Sequence, residues 1–395
     1  MTRVAAVDCG TNSIRLLVAD VTAGGLVELT RQMEIVRLGA GVDRTGAFAP
    51  DALRRTLAAL RGYADQIERF GAERVRMVAT SATRDAANRD ELVQGVRAIL
   101  GVDPEVITGD TEAALSFAGA TAELATAELA VTPGTGPGDG RVGDRRVGGQ
   151  AVGGQAVGGQ AVGGLGAARS PVLVADIGGG STELVLGTLP AAAEAGAARP
   201  GGTVTAARSV NVGCVRLAER HLHDDPPSAA QIGAVVADAH AAFDLAEQVV
   251  PLRSAASLVG VAGTVTTVAA LAHDLPAYDA ERIHLSVVSA EDVAAVTDRL
   301  IHMTHDERAA LAVMHPGRVD VIASGALVLR TLVERCGVPE IIASERDILD
   351  GIAFSLAEPS AASASSGSAR TAGTAGTGNV VPPADAAYAE PAERG

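Results

Sequence analysis

The segment 172–187, VLVADIGGGSTELVLG, constrains the fold of this 395-residue chain more than any other stretch. Two apolar runs flank three glycines, Gly178, Gly179 and Gly180, which predicts a strand, a tight turn and a second strand. Glycines let backbone N–H groups approach one point without a Cβ in the way, and Ser181 adds a hydroxyl donor. The turn is therefore predicted to bind an anion, most simply a phosphate; a glycine-rich hairpin without a ligand is the alternative.

Two carboxylates flank this turn. Asp176 ends the first apolar run and Glu183 opens the second, so both are predicted beside the turn. Carboxylates at an anion site can hold a divalent cation or handle a water molecule. The segment is thus suited to chemistry on the bound anion as well as to binding it.

An internal repeat supports this interpretation. The segment 3–19, RVAAVDCGTNSIRLLVA, matches the later segment position by position, except that Arg15 stands where the later copy has Glu183. Two such hairpins predict two related domains that face each other across a cleft, with chance similarity of two buried hairpins as the alternative. The aligned positions are Asp8 with Asp176, Gly10 with Gly178 and Ser13 with Ser181.

Charge and composition exclude several functions. The formal net charge is −15, aromatic residues make up 2% and Trp is absent, so nucleic-acid binding is not expected. All 32 basic residues are Arg, which excludes Walker-A, Schiff-base and lysine-nucleophile chemistry. A polyanionic substrate therefore needs local Arg side chains or a metal ion.

The cysteines and the N-terminus bear on location. Cys9, Cys214 and Cys336 lack CxxC spacing and are interpreted as buried thiols in a reducing compartment. Strand-like sequence begins at Val4, which argues against a signal peptide, and no membrane span is expected. The predicted location is the cytoplasm.

Polar residues follow predicted elements of the first half. Residues 50–70 have helical spacing, and 75–79 are predicted to form a strand that runs into a polar loop with Arg84. Arg84 suits pairing with phosphate oxygens, or else capping of the next helix. Glu112 opens another predicted helix, where a carboxylate often only complements the helix dipole.

Three segments of the second half carry further expectations. Residues 208–217 are predicted to form a strand that ends near Arg216, and 306–313 are predicted to form a helix. Residues 257–269 are predicted to form a strand, a Gly/Thr turn and a helix. That turn is a second candidate for approaching a phosphate or nucleotide, or else marks close packing of helix on sheet.

Composition divides the chain. The unit GGQAV repeats through 148–164, and such a segment has too little apolar bulk to bury a core. The predicted organisation is domain I over 1–125, a low-complexity insertion over 126–170, domain II over 171–343, a final helix over 344–356 that packs on domain I, and a disordered tail over 357–395.

Seven stretches in order resemble a known family. The chain is similar to the exopolyphosphatase / guanosine pentaphosphate phosphohydrolase (Ppx/GppA) family, in the superfamily of actin, sugar kinases and chaperone ATPases. The stretches are VDCGTNSIRLLV (7–18), ATSATRDAAN (79–88), ITGDTEAALSF (107–117), DIGGGSTELV (176–185), SVNVGCVRL (209–217), GTVTT (263–267) and PGRVDVIASGALVL (316–329).

The resemblance implies an α/β fold with two actin-like (ribonuclease H-like) domains and an active cleft between them. It implies Mg²⁺-dependent hydrolysis of a phosphoanhydride, with Mn²⁺ as the alternative cation, and a homodimer. Glu112 matches the family's catalytic base, Glu183 its second carboxylate, and Asp176 and Asp8 its metal and phosphate-loop acids. The chain stops short of the helical extension of larger members and so resembles the short, two-domain form.

These observations combine into a mechanism. Direct attack by water is favoured, because no Cys or His has a nucleophile's partner pattern. Glu112 is expected to activate the water, assisted by Glu183, and the metal ion is expected near Asp176, Asp8 and Glu183. The expected phosphate-binding residues are Gly10, Thr11, Asn12, Ser13, Arg84, Gly178, Gly179, Gly180 and Ser181, with Arg15, Arg37 and Arg216 as further sources of positive charge.

Three functions remain open. Release of terminal phosphate from inorganic polyphosphate is the first expectation, and hydrolysis of the 5′ phosphate of pppGpp, a nucleotide of the stringent response, is the second. A sensor that binds (p)ppGpp without turnover is an alternative of another class. The partner is thus inorganic polyphosphate or guanosine penta- or tetraphosphate, with neither nucleic acid nor membrane expected.

Overall fold

The computed structural model describes residues 1–124, 168–189 and 202–357. The first part of the chain forms β1 (Thr2–Cys9), β2 (Ser13–Thr22), β3 (Gly25–Ile35), α1 (Val42–Thr45), α2 (Pro50–Phe70), β4 (Arg74–Ala79), α3 (Ser81–Asp85), α4 (Arg89–Leu100), β5 (Glu105–Val106) and α5 (Gly109–Thr121). The predicted insertion, apart from its end at 168–170, and the predicted tail, apart from Ala357, lie outside the described residues.

The second part of the chain begins at the central hairpin. It forms β6 (Val172–Ile177), β7 (Thr182–Thr188), β8 (Thr203–Val210), α6 (Cys214–His221), α7 (Ala229–Glu247), β9 (Ser257–Val261), α8 (Ala262–Ala272), α9 (Ala280–Ile283), β10 (Val287–Ser289), α10 (Ala290–His302), α11 (His305–Ala309), α12 (Ile322–Cys336), β11 (Glu340–Ala343) and α13 (Ile348–Ala357). Two 3₁₀ turns lie at Leu252–Ser254 and Pro316–Arg318.

These strands form two sheets of related topology. The first sheet has the order β3-β2-β1-β4-β5, and the second has the order β10-β11-β9-β6-β7-β8. In each sheet an antiparallel meander (β1–β3 or β6–β8) joins parallel strands through its first strand. The repeat predicted from the two hairpins is therefore present in the folded chain, and the α/β expectation is confirmed.

The strand register confirms how the two copies differ. Asp8 pairs with Arg15 across β1 and β2, and Asp176 pairs with Glu183 across β6 and β7. Each acid thus faces its counterpart at the mouth of a hairpin. A basic residue stands opposite the acid in the first copy, and an acidic residue in the second.

Helices cover both faces of the first sheet, following the alternation of side chains along its strands. Ala5 and Val7 of β1 pack with Leu60 and Tyr63 of α2 on one face. The helix α2 has the bounds predicted from its spacing, and the Tyr63 hydroxyl donates to the Ile14 carbonyl at 2.9 Å. The opposite face packs against α13.

Two helices cross from one sheet to the other. The helix α5 follows the first sheet in the chain but packs Ala113 and Phe117 on β6 of the second. The helix α13 follows the second sheet but packs on β1 and β2 of the first, as expected for the final helix. A Cβ added to Gly119 of α5 or Gly351 of α13 would overlap a carbonyl oxygen of the other segment. The two helices therefore touch backbone to backbone.

Several sequence-based expectations are wrong. The polar loop predicted after β4, with Arg84, is the short helix α3, and the Gly/Thr turn predicted within 257–269 is the beginning of α8. The strand predicted over 208–217 ends at Val210, and Cys214 begins helix α6. The alternating apolar residues predicted extended chain, but the backbone of Gly213 lies directly against Gly179, and the chain turns into a helix there. The helix predicted over 306–313 is the short α11. The domain boundaries stay a prediction.

The described residues also bear on cysteines and membranes. Cys9, Cys214 and Cys336 are buried and free, as expected. Within 1–124, 168–189 and 202–357, no helix combines the length and the apolar character needed to cross a membrane.

Candidate active site

The two predicted anion-binding turns have the same local structure. Each closes with one hydrogen bond, from the Gly10 amide to the Ser13 carbonyl at 2.9 Å and from the Gly178 amide to the Ser181 carbonyl at 3.0 Å. Both turns lie at the carboxyl end of a strand that has parallel neighbours, where open α/β sheets bind ligands.

The segment after β3 donates hydrogen bonds to two carbonyl groups of the first turn (Gly10–Ser13). The Thr11 carbonyl accepts from the Gly39 amide at 2.8 Å, and the Asn12 carbonyl accepts from the Val36 and Arg37 amides at 3.1 and 2.8 Å. The segment after β3 therefore holds the turn from behind.

Helix α6 donates hydrogen bonds to the carbonyl groups of the second turn (Gly178–Ser181) in the same way. The Cys214 amide donates to the Gly178 carbonyl at 3.0 Å, and the Val215 amide donates to the Gly179 carbonyl at 2.9 Å. Among the described residues, no acceptor pairs with the backbone N–H groups of Thr11, Asn12, Gly179 and Gly180. Amides left over in this way form an anion-binding concavity.

The two turns face each other at close range. A Cβ on Gly179 would lie 3.0 Å from the Thr11 Cβ, and a Cβ on Gly180 would lie 2.6 Å from the Thr11 Oγ1. The Thr11 hydroxyl also lies 2.9 Å from the Ser81 hydroxyl. Side chains at Gly179 and Gly180 would therefore collide with the Thr11 and Ser81 side chains, which favours glycine at both positions.

Asp8 lies one residue before the end of β1, at the floor of the cleft between the turns. Its Oδ2 accepts from the Arg15 Nη2 at 2.6 Å, and Arg15 also pairs with Asp347. Burial raises the pKa of Asp8, although Arg15 opposes this shift. The Asp8 Oδ1 is buried without a hydrogen-bond partner, which leaves one carboxylate oxygen for a ligand.

Asp176 holds the equivalent position, one residue before the end of β6. Its Oδ2 accepts from the Ser116 hydroxyl of α5 at 2.7 Å. Burial, followed by the negative charge of Asp347, raises the pKa of Asp176 to about 6. The hydroxyl fixes the direction of a carboxylate that the interior would otherwise leave poorly solvated.

Glu112 lies in the first turn of α5, which the Thr108 side chain caps by accepting from the Thr111 amide at 3.2 Å. Its Oε2 accepts from the Arg84 Nη1 at 2.7 Å. Burial raises the pKa of Glu112 to about 7, even though the Arg84 guanidinium works against the shift. A carboxylate that titrates near neutral pH is suited to general-base chemistry.

Glu183 is buried behind the wall of the cleft. Its Oε1 accepts from the hydroxyls of Ser181 and Ser209, both at 2.7 Å. Burial, and then the charge of Glu112, raise the pKa of Glu183 well above its usual value. Glu183 therefore orients Ser181 of the second turn and lies close enough to Glu112 for the two carboxylates to influence each other.

Most of the predicted site residues line one cavity. Arg84, Gly180 and Glu183 are not part of its wall, and Arg84 reaches the site through Glu112. The predicted residues that line the cavity are Asp8, Gly10, Thr11, Asn12, Ser13, Glu112, Asp176, Gly178, Gly179 and Ser181.

Arg318 was missed as a site residue, although it lies in the quoted stretch PGRVDV. It lines the same cavity, and its Nη1 donates to the Gly263 carbonyl at 3.1 Å and to the Thr267 hydroxyl at 3.0 Å. No carboxylate of the described residues forms an ion pair with Arg318. Its charge is therefore available to an anionic ligand, and the beginning of α8, where Gly263 and Thr267 lie, holds the guanidinium in place.

The other three Arg residues expected near phosphate are occupied by carboxylates. Arg15 lines the cavity but pairs with Asp8 and Asp347. Arg37 pairs with Asp320, and Arg216 pairs with acids of the first half of the chain; neither lines the cavity. Their charges are therefore already balanced by the protein.

The donor set suits a cation that keeps some of its water. In the described ranges, no three His, Cys, Asp or Glu side chains are close enough to hold a metal ion. Two buried oxygens of the cleft, Asp8 Oδ1 and Asn12 Oδ1, lack hydrogen-bond partners. Mg²⁺ prefers oxygen ligands and takes the rest of its shell from water and phosphate, so these residues fit it.

The fold and the site define a class of protein: a two-sheet, actin-like α/β chain in which two anion-binding turns and several carboxylates meet in one cleft. The model of the Ppx/GppA phosphatase family matches residues 17–132 and 157–360. The chain belongs to this family, as the seven stretches predicted.

Relatives with known names agree with this assignment. Exopolyphosphatase 2 of Mycobacterium tuberculosis is 45% identical over 370 residues, which cover 90% of this chain and 99% of that protein. The crystal structure of an exopolyphosphatase-like protein is 38% identical with a TM-score of 0.74, covering 90% of this chain and 97% of the other. The Aquifex aeolicus member of the family is 25% identical with a TM-score of 0.63, at 90% and 97% coverage.

Proposed function

We propose that this chain is an Mg²⁺-dependent hydrolase that releases the terminal phosphate of inorganic polyphosphate by attack of water. The observation that carries the proposal is the meeting of Glu112, whose pKa is raised to about 7, with two sets of free amides in one cleft. The name of the mycobacterial relative, exopolyphosphatase 2, supports polyphosphate as the substrate.

Binding of the terminal phosphate falls to the two turns. The free amides of Thr11 and Asn12 on one side, and of Gly179 and Gly180 on the other, donate to its oxygens. Arg318 neutralises part of the remaining charge, because its guanidinium has no carboxylate partner among the described residues. Binding from both sheets places the phosphorus at a defined point above Asp8 and Asp176.

A bound Mg²⁺ would be held by Asp8 Oδ1 and by Asp176, with Asn12 Oδ1 nearby, and Mn²⁺ would fit the same oxygens. When bound, the cation withdraws negative charge from the phosphate oxygens. The Ser116 hydroxyl keeps Asp176 in position, and the Arg15 guanidinium does the same for Asp8.

Glu112 supplies the proton transfer. It takes a proton from water while the water oxygen bonds to the terminal phosphorus, and the bridging P–O bond breaks with its electrons leaving on the shortened chain. Arg84 holds the Glu112 carboxylate in one orientation. Glu183 assists from behind by fixing Ser181 of the second turn.

Phosphate release from polyphosphates of several lengths, pppGpp and ATP, with Mg²⁺ and with EDTA, tests this proposal. We expect Mg²⁺-dependent release, with the highest kcat/KM for polyphosphate. Equal release in EDTA would contradict the metal requirement. No release from any substrate, together with tight binding of (p)ppGpp, would show a sensor.

A second cavity favours pppGpp as the other candidate substrate. It has a volume of about 510 Å³, and it shares Arg318 and Gly263 with the cleft. Its wall includes the Tyr278 ring, the apolar Met314 and the Glu345 carboxylate. The Tyr278 hydroxyl donates to the Glu345 Oε1 at 2.5 Å, which fixes an aromatic ring beside a carboxylate. This pair suits a guanine, because a carboxylate oxygen accepts hydrogen bonds from guanine N–H groups. A higher kcat/KM for pppGpp than for polyphosphate in the same assay would establish this alternative.

A further inference from the structure

Arg216 joins three separate segments of the chain. It lies in the first turn of α6, and its Nε donates to the Gly180 carbonyl of the second turn at 2.8 Å. Its Nη2 donates to the Asp85 Oδ2 at 2.6 Å, and its Nη1 donates to Asp43. Only 11% of its side chain is exposed.

The two acids belong to segments that hold the other parts of the site. Asp43 lies in α1, directly after the segment whose Gly39 amide holds the Thr11 carbonyl of the first turn. Asp85 follows Arg84, the partner of Glu112, in α3. One guanidinium is thus linked to both phosphate-binding turns and to the segment that orients Glu112.

We propose that Arg216 is a positioning residue that holds the two sheets in the arrangement in which the turns and Glu112 surround one phosphate. Charge-assisted, multidentate hydrogen bonds of this kind fix geometry as well as contributing energy. Small displacements of a reacting group lower turnover strongly. The kinetic part of this inference rests on the proposed function, whereas the structural part does not.

A purely stabilising ion pair is the competing explanation, and α6 contains a matched control. Arg220, one turn further along, also pairs with Asp43, and its other partner is Asp238 of α7. Its hydrogen bonds reach neither Gly180 nor Asp85. Arg220→Met therefore removes a comparable ion pair from the same helix without releasing the turn.

The experiment combines kinetics with hydrogen exchange. Arg216→Met, Arg216→Lys and Arg220→Met are compared with the parent for kcat and KM on polyphosphate, for Tm, and for amide exchange in peptides that cover 176–183. We expect Arg216→Met to lower kcat roughly 10- to 100-fold and to speed exchange in that turn. Arg216→Lys restores part of both, and Arg220→Met leaves both near the parent.

Two results would overturn the inference. The first is parent-like exchange in 176–183 for Arg216→Met, whatever its kcat. The second is a loss of kcat and of exchange protection in Arg220→Met that equals the loss in Arg216→Met. If Arg216→Met does not fold, Asp85→Asn gives the same comparison from the other partner. If the parent protein releases no phosphate, the proposed function is contradicted. The exchange measurements alone then test whether Arg216 positions the second turn.

Discussion

The Nη1 of Arg84 lies 2.7 Å from the Oε2 of Glu112, and this ion pair connects α3 to the first turn of α5. The same Nη1 donates to the Ile107 carbonyl at 3.0 Å, so the guanidinium is fixed from two sides. Arg84 therefore fixes the direction of the carboxylate that we propose as the base, and it opposes the rise in the pKa of that carboxylate that burial causes.

The pH dependence of hydrolysis follows from this pair. Burial raises the pKa of Glu112 to about 7 and Arg84 lowers it, so kcat/KM should rise with pH through an apparent pKa near 7. Removing the positive charge in Arg84→Met should raise the pKa of Glu112 and so move the rising limb of the kcat/KM profile to higher pH. Rate profiles from pH 5 to 9 at saturating Mg²⁺ measure the shift, and a limb that stays or moves to lower pH would contradict it.

The ionised Glu112 that hydrolysis needs should lower the stability of the folded protein. The pKa of Glu112 is higher in the folded chain than its usual 4.5, because burial disfavours the charged form. The metal-free protein therefore loses stability as the pH rises from 4.5 through about 7. Glu112→Gln removes this loss and should be more stable than the parent at pH 8, by about 3 kcal/mol. Urea unfolding in EDTA at pH 5 and pH 8 measures the difference. Equal free energies of unfolding for both proteins at pH 8 would contradict it.

Arg318 should contribute to substrate binding. Its guanidinium lines the cleft without a carboxylate partner among the described residues, so Arg318→Met removes a charged hydrogen bond to phosphate. Such bonds contribute about 1.5–3 kcal/mol, which predicts a rise of roughly 10- to 100-fold in the KM for polyphosphate. Arg330→Met is the control, since Arg330 pairs with Asp298 away from the cleft. A KM that changes equally in both variants would show a general effect of charge.

The crossing of α5 and α13 should tolerate no added methyl group. A Cβ at Gly351 would overlap the Leu115 carbonyl, so Gly351→Ala should lower the free energy of unfolding by about 1–3 kcal/mol. Gly62 lies inside α2 with open space around it, and Gly62→Ala should raise stability by roughly 0.5–1 kcal/mol. Thermal or urea unfolding of both variants tests the pair. A Gly351→Ala protein as stable as the parent would show that the helices can separate.

Local sequence patterns predicted the parts of the fold that depend on neighbouring residues. The hairpins around Gly10–Ser13 and Gly178–Ser181 follow from apolar runs and small residues, and α2 follows from its spacing. The repeat of one hairpin in the other then indicated the two sheets. Each hairpin and α2 could be predicted from consecutive residues alone, and the repeat needed only a comparison of two such segments.

Contacts between distant segments could not be predicted in this way. Arg216 follows a run with strand-like alternation, yet the close approach of Gly213 to Gly179 begins a helix there and directs Arg216 to Asp85. Arg318 meets Gly263 only because the second sheet brings them together. Which Arg residues keep a free charge depends on carboxylates that are far away in the sequence.

The most direct test of the central claim, that Glu112 activates a water that attacks the terminal phosphorus, is hydrolysis of polyphosphate in H₂¹⁸O by the parent, Glu112→Gln and Asp110→Asn. Asp110 lies in the same first turn of α5 but is exposed, so its variant is the matched control. The account predicts ¹⁸O in the released phosphate, a loss of roughly 10²-fold or more in Glu112→Gln, and a parent-like rate in Asp110→Asn. Label in the shortened chain, or a parent rate in Glu112→Gln, would contradict it.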